Sequence, residues 1–466
     1  MTDDVQTPAS ELRLFLDIEA LKGWLENQRW YASKSRRVSS IEIDESAVLS
    51  EGPMMLLALV QAIFATGQHE LYQLPLGFRR DGAGSGLEAI AVVEGWSVYD
   101  ALTDPEQARE LLRRIDAAED LDTSEGSLRF RHVNGHLAVP EDATVRPVGV
   151  EQSNSSLVFG SDLVLKVFRK LEPGVNPELE MLRFLTAREF PNIAPLRGWY
   201  EYEGRSFSAT LGVAQEFLPE ARDGWELALD QIATDPEGFL ELVGSLGTVT
   251  AEMHSVLASD SNDSAFVPEE PSNEALSLLT ATIDEEIDRI FVRLPDEERL
   301  APIAGRGQDV RERLATRSGL SSGGHVIRTH GDFHLGQTLY TPRGWVIIDF
   351  EGEPARPLPE RRQKRSPLRD VASMLRSFAY ATSALEILRG QSAPPDLEQR
   401  VREAFLAHYF DAIDATLLPG GSAAVENLLS IFELEKAIYE LQYEIDNRPD
   451  WVTIPVAGIV RMLESG

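Results

Sequence analysis

The sequence predicts an α+β fold in which strands dominate up to Phe217 and helices dominate from Leu218 onward. Three observations carry that reading. Before Leu218 the apolar residues fall in short alternating or continuous runs, the pattern of strands in a sheet. After it they recur at three- and four-residue steps, lining one face of a helix. The helical half holds one obvious buried strand, GWVIIDF at 344–350.

In chain order, residues 12–27 predict an amphipathic helix, and 41–49 and 56–65 predict strands. Pro75 and the RRDGAGSG stretch at 79–86 read as a flexible break, so a small N-terminal subdomain is assigned to 1–90. The runs SLRFRHV, SSLVFG, LVLKVF and GVAQEFL supply strands of a small lobe, 91–217. One helix interrupts them, with Asn176 as N-cap, Pro177 at the first helical position, and Leu179, Leu182, Phe184 and Leu185 on an apolar side. The remaining residues, 218–466, form a mainly helical lobe. Its periodic sets are Phe239, Val243, Leu246, Val249, Met253 and Val256, then Val371, Met374, Leu375 and Phe378, then Leu434, Ile438, Leu441 and Ile445. A short apolar run at 338–340 precedes the buried strand, and 259–273 and 304–324 read as polar linkers.

Composition narrows the function. The chain has 466 residues, 44 Lys plus Arg against 76 Asp plus Glu, a formal net charge of −32 and no cysteine. So negative a surface opposes nucleic acid and anionic lipid, and the missing cysteines exclude disulfides, thiolate metal sites and cysteine nucleophiles. The start lacks the basic and apolar regions of a signal peptide, and the longest apolar stretch, 54–66, is shorter than the roughly 20 residues that span a bilayer. A cytoplasmic protein is expected.

The densest group of reactive side chains is HGDFHLGQ at 330–337, followed by Asp349 and Glu351 at the end of GWVIIDF. Phosphoryl transfer needs a carboxylate to orient an attacking hydroxyl and oxygen ligands to hold Mg²⁺ on nucleotide phosphates. A loop aspartate, an amide five residues later and a strand-end carboxylate provide them. Single aspartates more often cap turns, but the full combination is rare.

HGDFHLGQ with IDFEGEP resembles the catalytic and metal loops of kinases with the aminoglycoside-phosphotransferase-like fold. The residues 351–381, EGEPARPLPERRQKRSPLRDVASMLRSFAYA, are similar to the corresponding stretch of maltokinases, as are NQRWYASKSR at 27–36 and LEKAIYELQYEIDNRPDWVTIP at 434–455. The resemblance implies a bilobal kinase-like fold with an N-terminal cap and ATP-dependent phosphorylation of maltose at its anomeric hydroxyl. It places Asp332 as the catalytic base, and Gln337 and Asp349 as Mg²⁺ ligands; Glu351 is a third metal carboxylate or a structural acceptor.

For the nucleotide, Lys166 lies on a strand from which its ammonium reaches phosphates, with Glu180 preferred as its partner and Glu178 as the competitor. EQSNSS at 151–156, including Ser153, Asn154, Ser155 and Ser156, resembles the maltokinase phosphate loop. AQEFLP at 214–219 looks like the hinge, its backbone at Glu216 and Leu218 meeting adenine.

For the sugar, Lys436, Tyr439 and Tyr443 share one helix face, followed by Glu444 and Arg448. Tyrosines so spaced are more often core, but the resemblance makes this stretch maltose-binding. His334 is placed as a sugar contact, His254 as a packed histidine, and Trp30 and Lys34 as structural. The basic run Arg356, Arg361, Arg362, Lys364, Arg365 and Arg369 is either a solvated loop or a source of field near the transferring phosphate. Family context implies a product feeding α-glucan synthesis and association with a maltose-producing enzyme such as a trehalose synthase. A kinase for glucosamine or another monosaccharide, and a catalytically inactive kinase-like binding module, are the competing readings.

Overall fold

The computed structural model describes residues 16–31, 33–80, 86–137, 140, 142–149, 154–318 and 324–464. The chain divides into two compact units, Met1–Arg183 with Ala194–Pro219, and Phe184–Ile193 with Glu220–Gly466.

The first unit opens with helix α1 (Ile18–Asn27), capped by the Asp17 carboxylate on the Ala20 amide at 3.0 Å. Strands β1 (Val38–Glu51), β2 (Met54–Phe64), β3 (His69–Arg80), β4 (Ala89–Val93) and β5 (Trp96–Asp100) form an antiparallel sheet in the order β1-β2-β3-β5-β4. Leu56, Ala58, Val60 and Ala62 of β2 pack into one core with Leu21, Leu25, Trp30 and Tyr72. Met55, Leu57 and Leu59, on the opposite pleat, are buried too, so the sheet is covered on both faces. Helix α2 (Pro105–Ala117) packs on the same sheet, its Gln107 amide donating to the Met54 carbonyl at 2.9 Å.

A second sheet follows, from β6 (Asp120–Asp122), β7 (Gly126–His132), β8 (Val145–Pro147), β9 (Asn154–Phe159) and β10 (Leu163–Phe168). The two-residue β11 (Lys170–Leu171) returns to pair with β3. Helix α3 (Pro177–Ala187) intervenes, and β12 (Leu196–Gly204) and β13 (Ser208–Glu216) complete the order β6-β7-β12-β13-β10-β9-β8.

The second unit carries β14 (Arg222–Asp223), α4 (Gly224–Thr234), α5 (Pro236–Leu257), α6 (Asn273–Phe291) and α7 (Gly307–Ser318). Then come β15 (Thr338–Thr341) and β16 (Gly344–Ile347), which make a small sheet with β14. The short α8 (Leu358–Arg361) precedes α9 (Leu368–Arg389), α10 (Leu397–Ala412), α11 (Ser422–Asn447) and α12 (Thr453–Glu464). Helices α5 and α10 approach so closely at Gly247 that a Cβ there would lie 2.4 Å from the Phe405 carbonyl oxygen. A separate core joins α6, α7, α11 and α12 through Ile287, Val310, Ile438 and Ile459. No helix among the described residues is long and apolar enough to cross a membrane.

Several boundaries differ from the expectations. Pro75 does not break the chain but lies inside β3. The Gln73 amide donates to the Arg169 carbonyl, so the position two further on faces the same edge, and there Pro75 falls between the β11 pairing, which ends at Tyr72, and the β5 pairing, which begins at Leu76. A residue without an N–H loses nothing in that gap. The sheet therefore continues to Asp100, past the expected end of the subdomain at 90. The strand assigned to 344–350 stops at Ile347, the expected linker 304–324 contains α7, and α2 was not anticipated although Asp104 and Pro105 form a cap and first turn. The first helix begins at Ile18; residues 12–15 lie outside the described residues.

Candidate active site

In the second unit, the loop after Thr329 is braced from behind by a buried carboxylate. Asp370, 1% exposed near the start of α9, accepts the backbone N–H of His330 at 2.7 Å and of Gly331 at 3.0 Å. His254 Nε2 lies 3.2 Å from the same carboxylate, and His254 Nδ1 is 3.0 Å from the Tyr409 hydroxyl. Burial alone would raise the Asp370 pKa, but the His254 hydrogen bond, the imidazoles of His254 and His330 beside it and the Gly331 amide together hold it below the usual carboxylate range.

His330 ties this loop to the strand end. The Asp332 amide donates to its Nδ1 at 3.3 Å, so the hydrogen-bond pattern assigns the proton to Nε2, which faces the Ile348 carbonyl at 2.9 Å. Asp349 follows with φ +64°, a left-handed conformation that aspartate tolerates better than most residues. Its carboxylate accepts the Gln337 side-chain amide at 3.0 Å. The aspartate loop, Gln337 and Asp349 are thus held in one small volume.

Around Asp332 stand Lys436 Nζ and His334 Nε2, each 3.8 Å from a carboxylate oxygen. Burial, with His330 and the Lys436 ammonium nearby, keeps His334 below the usual histidine range although Asp332 and Asp349 oppose it. Lys436 lies against the Tyr439 ring, and both line a cavity of about 320 Å³ with Gly331, Glu353, Arg356 and Arg365. Tyr443 lies further along α11 and Arg448 just past its end, both exposed. Glu444 is buried, accepting from the Tyr380 hydroxyl at 3.0 Å and from Arg448 Nε at 2.9 Å. Its oxygens therefore support the helix end rather than projecting toward a ligand. Glu351 offers its backbone carbonyl to Arg361 at 3.2 Å.

The basic run is not a solvated loop. Arg356 bonds Glu353 at 2.6 Å, Arg369 bonds Glu435 of α11 at 2.7 Å, and Lys364 pairs with Glu269. Burial, with Arg369 and Arg356 beside it, pushes the Arg365 pKa down to about 10.

In the first unit, Lys166 of β10 forms an ion pair with Glu178 at 2.9 Å. Glu180, the preferred partner, is two residues on and rotated by about 200° around the helix, and it is only half-buried. The Glu178 amide is itself capped by the Asn176 side chain at 2.8 Å. Residues 151–153, including Ser153, lie outside the described residues, while Asn154, Ser155 and Ser156 already belong to β9. At the end of β13, Glu216 pairs with Arg197 at 2.9 Å, its amide meets the Pro195 carbonyl and that of Phe217 meets the Asp162 carbonyl; half-buried Leu218 follows. Trp30 packs with Trp24 and Tyr72, whereas Lys34 is exposed.

The sequence reasoning missed two residues. Asp370 carried no signal beyond an aspartate near a helix start, and Arg169, 2% exposed, looked like one more basic residue after a strand.

A strand lysine paired to a helix glutamate, and a separate aspartate loop braced beside an amide–carboxylate pair, are the arrangement of a kinase-like phosphotransferase. Residues 144–404 match the phosphotransferase enzyme (APH) family, and residues 24–104 match the maltokinase N-terminal cap domain. The first match covers more than half the chain, and the protein belongs to the phosphotransferase enzyme family, with a maltokinase-type cap ahead of the family domain. Among curated proteins, the chain is 26% identical to a glucosamine kinase of Mycolicibacterium smegmatis over 336 residues, covering 69% of this chain and 80% of that one. It is also 26% identical to a glucosamine kinase of Streptacidiphilus jiangxiensis, covering 68% and 73%. A solved glucosamine kinase in complex with glucosamine, ADP and inorganic phosphate shares the fold at TM-score 0.72 and 21% identity, over 98% of this chain and all of that one.

Proposed function

We propose that the protein transfers the γ-phosphoryl group of ATP to the anomeric hydroxyl of maltose, giving maltose 1-phosphate and ADP. The observation that carries the substrate is the maltokinase-type cap at 24–104. One cation on the cavity wall adds to it. Lys436 sits 3.8 Å from the proposed base on the cavity wall, where it would repel the ammonium of an amino sugar but not a neutral one.

In this reading Asp332 accepts the proton of the attacking hydroxyl, Lys166 steadies the nucleotide phosphates, Asn154–Ser156 with Ser153 border them, and the backbone at Glu216 and Leu218 meets the base. His334, Lys436, Tyr439 and Tyr443 face the sugar; Glu444 and Arg448 hold the helix that presents them. Gln337 and Asp349 lie side by side, the Gln337 amide N–H donating to the Asp349 carboxylate at 3.0 Å; the amide oxygen of the one and the carboxylate of the other are hard oxygen donors of the kind Mg²⁺ takes. Held there, Mg²⁺ would neutralise charge on the transferring phosphoryl group.

General-base assistance is commonly worth roughly 10² to 10⁴ in rate, so Asp332→Asn is expected to lose that much turnover while still binding ATP. The names of the curated relatives favour a second acceptor, glucosamine. Rates with maltose, glucose, glucosamine and trehalose, compared as kcat/KM, decide between them, and preference for any sugar but maltose refutes the first reading. Nucleotide binding without turnover on any sugar would indicate an inactive binding module.

A further inference from the structure

Arg169 is among the most deeply buried cations described, at 2% exposure, and the bonds of its guanidinium to Asp100 and Ser155 join two parts of the first unit. Its Nη2 bonds the Asp100 carboxylate at 2.5 Å, at the end of the cap sheet. Its Nε donates to the Ser155 hydroxyl at 2.8 Å, on the strand that leaves the proposed phosphate loop. Its guanidinium carbon lies 5.0 Å from the Trp30 ring centre, and its carbonyl accepts the Gln73 amide of β3 at 2.9 Å. Asp100 is fixed in turn, its other oxygen accepting the Leu102 amide at 3.1 Å. Arg169 also follows Lys166 by three residues.

We infer that Arg169 is a positioning residue for nucleotide binding: through Asp100 and Trp30 the cap sets Arg169, and Arg169 sets the start of β9 that carries Ser155. The inference rests on reading the segment before β9 as the phosphate loop. A planar fork with fixed N–H directions can meet a carboxylate and a hydroxyl on separate strands at once. A lysine ammonium offers its donors from a single atom and does not match two acceptors met by separate nitrogens, Nε and Nη2. The cap thereby gains a role in catalysis without touching substrate.

The test compares Arg169→Lys, Asp100→Asn and their double variant with the unmodified full chain, measuring kcat and separate KM values for ATP and for maltose. The expected result is a rise of roughly tenfold in the KM for ATP in either single variant, with the KM for maltose unchanged and a double variant no worse than the worse single. Thermal unfolding identifies any variant that fails to fold, and Ser155→Ala, which keeps Arg169 and Asp100 paired, then supplies the same ATP-specific rise. An unchanged KM for ATP, or equal rises for ATP and sugar, overturns the positioning role. Absence of ATP-dependent turnover in the unmodified protein overturns the phosphate-loop reading itself, and the inference with it.

Discussion

Replacing Glu178 by Gln, with Glu180→Gln beside it, separates two residues that sequence spacing ranks in the reverse order of the fold. In the fold Glu178 lies 2.9 Å from Lys166, with side chains 2% and 14% exposed. Coulomb's law with an effective dielectric of about 20 puts the gross attraction at that distance near 6 kcal/mol. Desolvation of both groups removes much of it, and breaking a buried pair outright costs about 3–5 kcal/mol. Glutamine keeps an oxygen acceptor and about the same volume, so the loss is expected to be smaller, about 1.5–3 kcal/mol. At about 1.4 kcal/mol per tenfold, that corresponds to a decrease of roughly 10- to 100-fold in kcat/KM for ATP, because the lysine is no longer held toward the phosphates. Glu180→Gln is expected to stay within about threefold of the parent. Steady-state kinetics with varied ATP, and denaturant unfolding to track stability, measure both effects. Equal damage from the two substitutions, or none from Glu178→Gln, would refute the assignment of the pair.

Three further outcomes are expected. Asp370 has a depressed folded-state pKa, so its contribution to stability is complete above the ordinary carboxylate range and drains away as pH falls through the depressed value. The stability gap between parent and Asp370→Asn should therefore be largest at neutral pH and narrow below about pH 4, as urea unfolding at several pH values will report. Gly247→Ala sets a methyl against the Phe405 carbonyl at the closest approach of α5 and α10, and should cost about 1–3 kcal/mol by the same measurement without changing KM for either substrate. Lys436→Met should relax discrimination against glucosamine relative to maltose in kcat/KM; unchanged discrimination would remove Lys436 from the specificity argument.

The candidate cluster was legible because its members are local in sequence. Asp332 and Gln337 fall in one loop and Asp349 just past the β15–β16 hairpin that follows, so a short hairpin returns Asp349 to Gln337. The asparagine cap and first-turn proline placed the start of α3 correctly, since capping uses only neighbouring residues. What failed were readings that depend on partners distant in the chain. Pro75 signals a break unless one knows that its edge of β3 faces a gap between two pairings. The bond from Tyr380 to the Glu444 carboxylate, across 64 residues, is likewise invisible to the helical spacing of 436–448.

The sequence by itself determined the kinase-like class, because the aspartate loop, the amide and the strand-end carboxylate that mark it stand at short spacings. Only the tertiary structure decided which glutamate meets Lys166, which carboxylate braces the catalytic loop, and how Arg169 joins the cap to β9. The first depends on how α3 is rotated about its axis by the packing of its apolar side, where one residue is worth about 100°. The other two join groups 40 or more residues apart, Asp370 with His330 and Arg169 with Asp100, and no local periodicity encodes a contact at that range.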